Sequence, residues 1–440
     1  MGARQIIVVG GGAAGFFAAI AAAEQGASVT VLEKTSRFLD KVRISGGGRC
    51  NVTHACFDSR DFAARYPRGQ KALLGPFVKF SARDTVAWFE SRGVKLKAEA
   101  DGRMFPVTDS SQTIMACLMQ AAKAAGVKLR LDAGVASIVK NADGGFEVMS
   151  GRAGSPLPAA ATRAQDGAQG TPINREQAAR PAENTSEKLL CDRVLLATGG
   201  CRAAAAGQLA VSLGHTLEPP VPSLFAFHIE SPWLRLLAGV SVGTVEVSVP
   251  AARLRERGPL LVTHWGLSGP AILRLSAWGA RSLHELNYHF PLFLNWLPDA
   301  SPEKIAREFQ IRREASGAKL AINVPLAPLP ARLCEQLVLA AGIPRNTRWA
   351  ALTRSQTHAL AQQFARTEFA VTGKTLNQDE FVTCGGVRLA EVNFKTMESK
   401  VCPGLFFAGE LLDIDGVTGG FNFQAAWTTG WIAGRAMAAE

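Results

Sequence analysis

The stretch "SGGGRCN" at residues 45–51 sets three glycines directly before an arginine, a cysteine and an asparagine. Glycines let backbone lie against a flat ligand with no side chain between them. Arg49 offers a fixed fork of donors suited to phosphate or ring oxygens. Asn51 can hydrogen-bond a ring edge. Cys50, next to Arg49, is a thiol that a positive neighbour partly activates and that can still give up a proton. The plainer reading of Cys50 is a small buried cysteine that only packs. His264, in "VTHWGLSGP", is the second candidate proton donor. Its plainer reading is a hydrogen-bonded structural histidine.

These groups need a ligand to act on, and an earlier glycine cluster points to one. "RQIIVVGGGAAGFFAAIAAAEQGASVTVLEK" reads as a buried strand, a glycine turn, an alanine-rich helix and a second strand. That is a β-α-β unit, which implies parallel strands and a right-handed crossover. Within it stands Gly10-x-Gly12-x-x-Gly15, with Glu33 at the end of the second strand. In this context the motif predicts a dinucleotide site. Gly10 permits the tight turn, Gly12 lets backbone approach a pyrophosphate, and Gly15 allows close helix–strand packing. The helix N-terminus faces the phosphates. Glu33 would accept hydrogen bonds from a ribose diol, and its charge disfavours a 2′-phosphate.

The motif alone does not separate NAD from FAD. The C-terminal "PGLFFAGELLDIDGVTGGFNFQAAWTTGWIAGRAMA" adds a strand, a Gly-Glu turn, a Gly419-Gly420 pair and a helix of small residues. A helix N-terminus there can face a flavin pyrimidine edge, where negative charge collects on reduction. "VLLATGG" at 194–200 supplies a further strand ending in glycines. The three features together predict FAD. No second GxGxxG exists, so any NAD(P)H must bind transiently.

The chain has 440 residues, is 47% hydrophobic, and carries 48 Lys and Arg against 37 Asp and Glu, for a net +11. That length fits two or three domains. The positive field attracts polyanions such as nucleic acid, or is simply a solvated basic surface. Eight scattered cysteines form no CxxC pair and no zinc spacing, so they read as reduced thiols of a cytoplasmic protein with no metal site. Residues 6–23 are uncharged, but their central glycines and the strand that follows argue against a membrane span.

The predicted plan is a discontinuous FAD domain at 1–218 and 385–440, interrupted by a second, mixed domain. Within the first part, residues 151–189 hold no aromatic residue and almost no large aliphatic one, which predicts a flexible insertion. Helices are expected near 268–280, 302–315, 328–341 and 353–365.

The motifs "KVRISGGGRCNVTH", "GRMFPVTDSS", "VLLATGG", "THWGLSGPAIL", "FVTCGGVRLAEVN", "TMESK" and "PGLFFAGELLDIDGVTGGFNFQAAWTTG" resemble those of the BaiN/YhiN-type flavoproteins, also known as aminoacetone-oxidase-like FAD-binding enzymes. The resemblance covers nearly the whole chain except 151–189. It implies an α/β fold: a glutathione-reductase-like FAD-binding Rossmann domain with an inserted β-barrel, at 219–262 and 366–384, and a small helical subdomain at 263–365. His54 stands where the family has asparagine. The residues assigned to FAD are Gly10, Gly12, Ala13, Ala14, Gly15, Glu33, Lys34, Lys41, Ser45, Gly47, Gly48, Arg49, Cys50, Asn51, Val135, Thr198, Gly199, Gly409, Glu410, Asp413, Gly420, Phe421 and Asn422.

The resemblance leaves the substrate open. Reduction of a conjugated C=C needs a hydride from the flavin and a proton from an acid, for which Cys50 and His264 are the candidates. A uridine of large-subunit ribosomal RNA, reduced to dihydrouridine at NAD(P)H expense, suits the basic charge. The partner would then be ribosomal RNA or a ribosome precursor. A small-molecule enone reductase or aminoacetone-type amine oxidase is the second reading. A non-catalytic, flavin-loaded RNA-binding or redox-sensing protein is the third.

Overall fold

The computed structural model describes residues 2–151, 187–201, 204–323, 326, 328–375 and 382–439. The apolar, β-branched run Gln5–Val9 forms strand β1, an interior strand of a seven-stranded sheet. β2 (Ser28–Leu32) and β3 (Lys128–Arg130) lie on one side of it. On the other side are β4 (Arg193–Leu196), β5 (Leu405–Phe407) and two short strands, Glu398–Ser399 and Val392–Asn393. The five labelled strands run parallel. β1, β4 and β5 are buried on both faces, which is why they read as continuous apolar runs.

Helix α1 (Ala13–Ala23) is buried all round from Ala14 to Ala22. It lies between the sheet and the C-terminal helix Phe421–Ala438, which is buried along most of its length. Small residues make this sandwich possible. A Cβ on Gly430 would sit 2.5 Å from the Ala14 carbonyl oxygen, and one on Gly434 would strike the Ala18 carbonyl. Trp427, Phe17 and Phe89 fill the space beside that contact, with Phe17 and Trp427 ring centroids 4.8 Å apart.

The second body is a closed six-stranded barrel. In order around the barrel its strands are Ala226–Ile229, Gly266–Ser268, Leu254–Val262, Ser241–Val249, Phe290–Asn295 and Thr367–Thr375. Two of these, Gly266–Ser268 and Phe290–Asn295, fall inside the 263–365 segment expected to be helical. Pro291 inside "FPLFLN" and the three-residue length of "GLS" hide them, because proline and brevity both read as strand breakers. Helices Pro270–Trp278 and Ala280–Glu285 adjoin the barrel, the first packing on strand Leu254–Val262. The helical subdomain proper is Pro302–Ser316, Ala331–Ala340 and Arg354–Ala365, between the last two barrel strands in the chain.

A two-stranded ribbon, Leu217–Ser223 paired antiparallel with Val382–Val387, carries the chain into and out of the barrel. The expected insertion at 151–189 lies mostly outside the described residues. Its edges do not, since one strand runs to Gly151 and its partner begins at Glu187.

One buried cation ties the two bodies together. Arg68 donates through Nε to Asp415 Oδ1 at 2.5 Å and through Nη1 to the Ala277 carbonyl at 2.6 Å. Its Nη2 donates to Ser223 Oγ at 3.3 Å, and Ser223 Oγ donates to Asp415 Oδ2 at 2.6 Å. Asp415 is fully buried. Breaking such a pair by removing one partner costs roughly 3–5 kcal/mol.

A second buried polar unit braces the edge of the sheet. His215 Nδ1 lies 2.9 Å from Glu391 Oε2, and Nε2 lies 2.8 Å from Ser399 Oγ. Ser399 Oγ already accepts the N–H groups of Val401 and Cys402. The set closes with a neutral imidazole that donates to the carboxylate and accepts from the hydroxyl. Burial lowers the His215 pKa, against the pull of Glu391. The folded form therefore binds a proton less readily than the unfolded chain, whose histidines titrate near ~6.5. Its contribution is complete above that pH and is lost as the pH falls below it. We predict a fall in melting temperature between pH 7.5 and 5. In His215→Gln that fall is shallower, while stability at pH 7.5 is lower than in the parent. Melting curves that fall equally steeply in both proteins would contradict this.

Candidate flavin site

The site is built mainly from backbone. Gly10 has φ +110, and a Cβ there would strike the Ala197 carbonyl at the end of β4. A Cβ on Gly15 would strike the Gly10 carbonyl. Gly12 behaves differently, because a Cβ there would meet nothing within 4 Å. Gly12 is the N-cap of α1 and has no side-chain cap, so the first-turn N–H groups, from Ala13 and Ala14 on, face open space. That is a place for an anion that side chains have been kept out of.

Glu33 is fixed at the rim. Its Oε2 accepts the Gly11 N–H at 2.8 Å, and its Oε1 accepts the Thr35 N–H at 2.9 Å. Lys34 beside it is exposed, and Val135 lies at the start of the strand Gly134–Lys140. Further along, Lys41 Nζ pairs with Glu410 Oε2 at 2.7 Å. The other oxygen of Glu410 accepts the Thr383 N–H at 2.8 Å, tying the ribbon to this end of the cradle. Thr198 Oγ1 is buried there without a hydrogen-bond partner, next to Gly199 with φ +77 and an open Cβ position. An orphaned hydroxyl beside vacant space suits a polyhydroxyl chain.

The "SGGG" segment turns through three successive left-handed residues, Gly46, Gly47 and Gly48, at φ +59, +69 and +83. Cβ positions on Gly47 and Gly48 are open. The turn is closed by the Cys50 N–H donating to the Ser45 carbonyl at 3.0 Å. Asn51 then reaches the C-terminal helix. With its amide oriented to satisfy its neighbours, its oxygen accepts the Gly420 N–H at 2.9 Å and its nitrogen donates to the Thr53 carbonyl at 3.0 Å. Gly420, at φ +91, is the N-cap of that helix, and any Cβ there would strike the Thr53 carbonyl. Gly409, at φ +72, packs on Ala14. Phe421 is buried, stacked on His54 with ring centroids 4.8 Å apart, and its carbonyl accepts from Tyr66 at 2.5 Å.

Several expectations need correction. Cys50 is fully buried, and burial pushes its thiol up to about 12. It is neither activated by Arg49 nor open to a substrate, and the packing reading holds. The Arg49 guanidinium is committed elsewhere. It pairs with Glu99 at 2.6 Å and lies 4.0 Å over the Phe105 ring. The Asn422 side chain braces the 416–422 loop through two bonds to Gly416, at 2.8 and 2.9 Å. His264 is exposed at the turn between barrel strands Leu254–Val262 and Gly266–Ser268.

Asp413, assigned above to the cofactor, is half-buried beside Arg281 and Arg68. Arg281 Nη2 stands 3.7 Å from its Oδ1. Burial raises its carboxyl, opposed by the Arg281 and Arg68 charges. Arg68 and Arg281 lie in no motif of the sequence, and Thr383 and Asp415, though inside the motifs that carry the resemblance, were not singled out.

The residues present therefore fit FAD. Gly12 and α1 would take the pyrophosphate, and Glu33 the ribose diol. Thr198, Lys41 and Glu410 would meet the ribityl chain. Gly46–Gly48 and Gly420 would meet the ring. Among the described residues, no helix is long and apolar enough to cross a membrane.

Comparison with known proteins agrees. The family described as HI0933-like protein Rossmann domain matches residues 4–172 and 160–436. A 3-dehydro-bile acid delta(4,6)-reductase from Clostridium scindens is 27% identical, over 95% of this chain and 94% of that protein. A ribosomal RNA dihydrouridine synthase from Escherichia coli is 28% identical, again over 95% and 94%. The fold matches that of a 3-ketosteroid-delta4-(5alpha)-dehydrogenase from Rhodococcus jostii, with a TM-score of 0.50 at 14% identity, over 100% of this chain and 98% of the other.

Two outcomes follow. Gly12→Ala puts a Cβ into the open position before α1, where it meets no protein atom within 4 Å, so FAD affinity should fall by about tenfold with the fold intact. Fluorescence titration of apoprotein and its melting temperature check this. Cys50→Ala should keep both FAD and turnover and cost only about 1 kcal/mol of stability. Loss of turnover in a folded, flavin-loaded Cys50→Ala variant would restore the thiol to the chemistry. With the cradle, the family match and the fold in agreement, the chain belongs to the HI0933-like Rossmann-domain family and is an FAD-dependent oxidoreductase.

Proposed function

We propose that this enzyme reduces a conjugated C=C, and that its substrate is a uridine of large-subunit ribosomal RNA, converted to dihydrouridine, with NAD(P)H as the transient reductant. The observation that carries the RNA reading is where the positive charge lies. Residues 301–366 hold ten basic side chains, Lys304, Arg307, Arg312, Arg313, Lys319, Arg332, Arg345, Arg348, Arg354 and Arg366, against Glu303, Glu308, Glu314 and Glu335. All ten except the half-buried Arg312 are exposed. That segment alone has a net charge of +6, ten minus four, out of +11 for the whole chain. A small steroid has no use for such a surface, whereas a phosphate backbone does. The full-length relative named as a ribosomal RNA dihydrouridine synthase supports the same reading.

Bound FAD would supply the hydride. The chain's own part is to hold and orient it. The N-terminus of α1 neutralises phosphate charge, and the N-terminus at Gly420 sets a positive dipole end toward the ring. The relative named as a bile acid reductase supports a second reading, an enone reductase acting on small molecules.

The test is to delete the gene and map dihydrouridine in large-subunit RNA, then restore it with purified FAD-loaded protein, NADH or NADPH, and unmodified RNA. A missing dihydrouridine that the protein restores is the expected result. An unchanged map rejects the RNA reading. Flavin reoxidation by a 4-en-3-one steroid, together with an unchanged map, would select the second reading.

A further inference from the structure

The barrel has two ends, and its strand pairing decides what stands at each. Every strand is antiparallel to its neighbours in the barrel. The chain enters the first barrel strand at Ala226 and leaves the last at Thr375, so both arms of the ribbon stand at one end. The connections 250–253 and 269–289 share that end, which Arg68 holds through Ser223 and the Ala277 carbonyl. Three connections stand at the opposite end: 230–240, 263–265 and the helical subdomain.

Hydrogen bonds join these three into one surface. The Ile229 N–H donates to the Trp265 carbonyl, and the Gly239 N–H to the Val262 carbonyl, both at 2.9 Å. Arg332, in the first turn of the helix Ala331–Ala340, donates to the Leu236 carbonyl. On this surface Trp265 is 45% exposed, Leu236 60% and Leu261 39%. Singly exposed apolar side chains are ordinary, whereas three on joined connections at one barrel end mark a contact surface. The backbone of Trp265 is fixed. His264 and Trp265 are the middle residues of a turn closed by the Thr263 N–H, which donates to the Gly266 carbonyl at 2.9 Å. The Gly266 N–H donates in return to Thr263 Oγ1 at 3.1 Å. A Cβ on Gly266 would strike the Phe227 carbonyl, so the turn lies tight against the neighbouring strand. The indole is thus presented on backbone that is already ordered, which lowers the cost of binding.

The charge beside the indole identifies its partner. Arg235 is exposed on the 230–240 connection, and Arg332 on the subdomain. Against them the connections 230–240 and 263–265 hold one carboxylate, Glu230. The subdomain segment 301–366 brings its ten basic side chains against four acidic ones to the same end. Exposed aromatic rings beside arginines take unpaired nucleotides: the ring stacks on a base and the cations meet the phosphates.

We propose that this end of the barrel is an RNA-docking face, on which Trp265 stacks against an unpaired base while Arg235 and Arg332 meet the flanking phosphates. The assignment rests on the RNA reading above and goes further by naming where the nucleic acid is held. Stacking is tolerant of base identity, so this face supplies affinity for unpaired RNA and leaves the choice of uridine to the flavin site. It gives Trp265 of "VTHWGLSGP" a part in binding, at the barrel end opposite the Arg68 tie.

The test is equilibrium binding to full-length FAD-loaded protein. Two hairpin oligoribonucleotides share one stem and differ only in the loop, which holds uridines in one and abasic residues in the other, so their phosphate charge is equal. The wild type should prefer the uridine loop by about tenfold. Trp265→Ala should lose that preference, with flavin content and the salt dependence of binding unchanged. Trp265→Phe, which keeps a ring, should retain most of it. Arg235→Gln should reduce the salt dependence and leave the preference in place. Equal wild-type binding of the two hairpins overturns the proposal, and this comparison does not depend on any variant folding. So does a preference that survives in Trp265→Ala, which would leave the exposed apolar side chains to a protein partner. In both cases the RNA reading stands, because the hairpins bind. A wild type that binds neither hairpin overturns the RNA reading and this proposal with it.

Discussion

The site depends on two helices touching through glycine. Gly430 and Gly434 bring the C-terminal helix onto the Ala14 and Ala18 carbonyls of α1, and no larger residue could stand at either position. The pairing also fixes direction and register. Position 430 meets 14 and 434 meets 18, so the helices run parallel. The C-terminal helix then begins eight residues, or about 12 Å, ahead of α1 at 1.5 Å per residue. Two positive helix ends thus point the same way at staggered depths. One would take the phosphates of bound FAD and the other would face its ring. The spacing of the two anchors is set by backbone contact, which side-chain rotamers cannot blur.

A site made this way leaves the substrate side to the second body, and the seam must be held in register too. Arg68 does this from one side chain. It reaches Asp415 in the loop leading to the C-terminal helix, Ser223 on the connecting ribbon and Ala277 beside the barrel. Desolvation lowers the Arg68 pKa, and the cost is offset only because every partner is in place.

How much of this was legible in the sequence follows from range. The β-α-β unit, the Gly10–Gly15 turn and the C-terminal Gly-Glu and Gly-Gly turns are local, and each could be read from spacing. Two barrel strands could not, since Pro291 and a three-residue length disguise them. The Arg68–Asp415 pair spans 347 positions in the chain and has no local signature. Cys50 was misjudged for a physical reason. Adjacency to Arg49 in sequence suggested activation, but the left-handed turn at Cys50, φ 62, sends the two side chains apart. One goes into the core, and the other goes out to Glu99 and Phe105.

The fate of Cys50, buried in the core, shows how labour is divided within the molecule. The reactive-looking residues of "SGGGRCN" serve shape: Cys50 packs, Arg49 clamps a loop, and Asn51 ties that loop to the helix at Gly420. What the segment offers the cofactor is bare backbone at Gly46–Gly48. Hydride chemistry by a flavin asks little more of the protein than this, because the cofactor carries the reactive atoms. What the fold must supply is the position of that backbone, and the glycine contact between the two helices sets it.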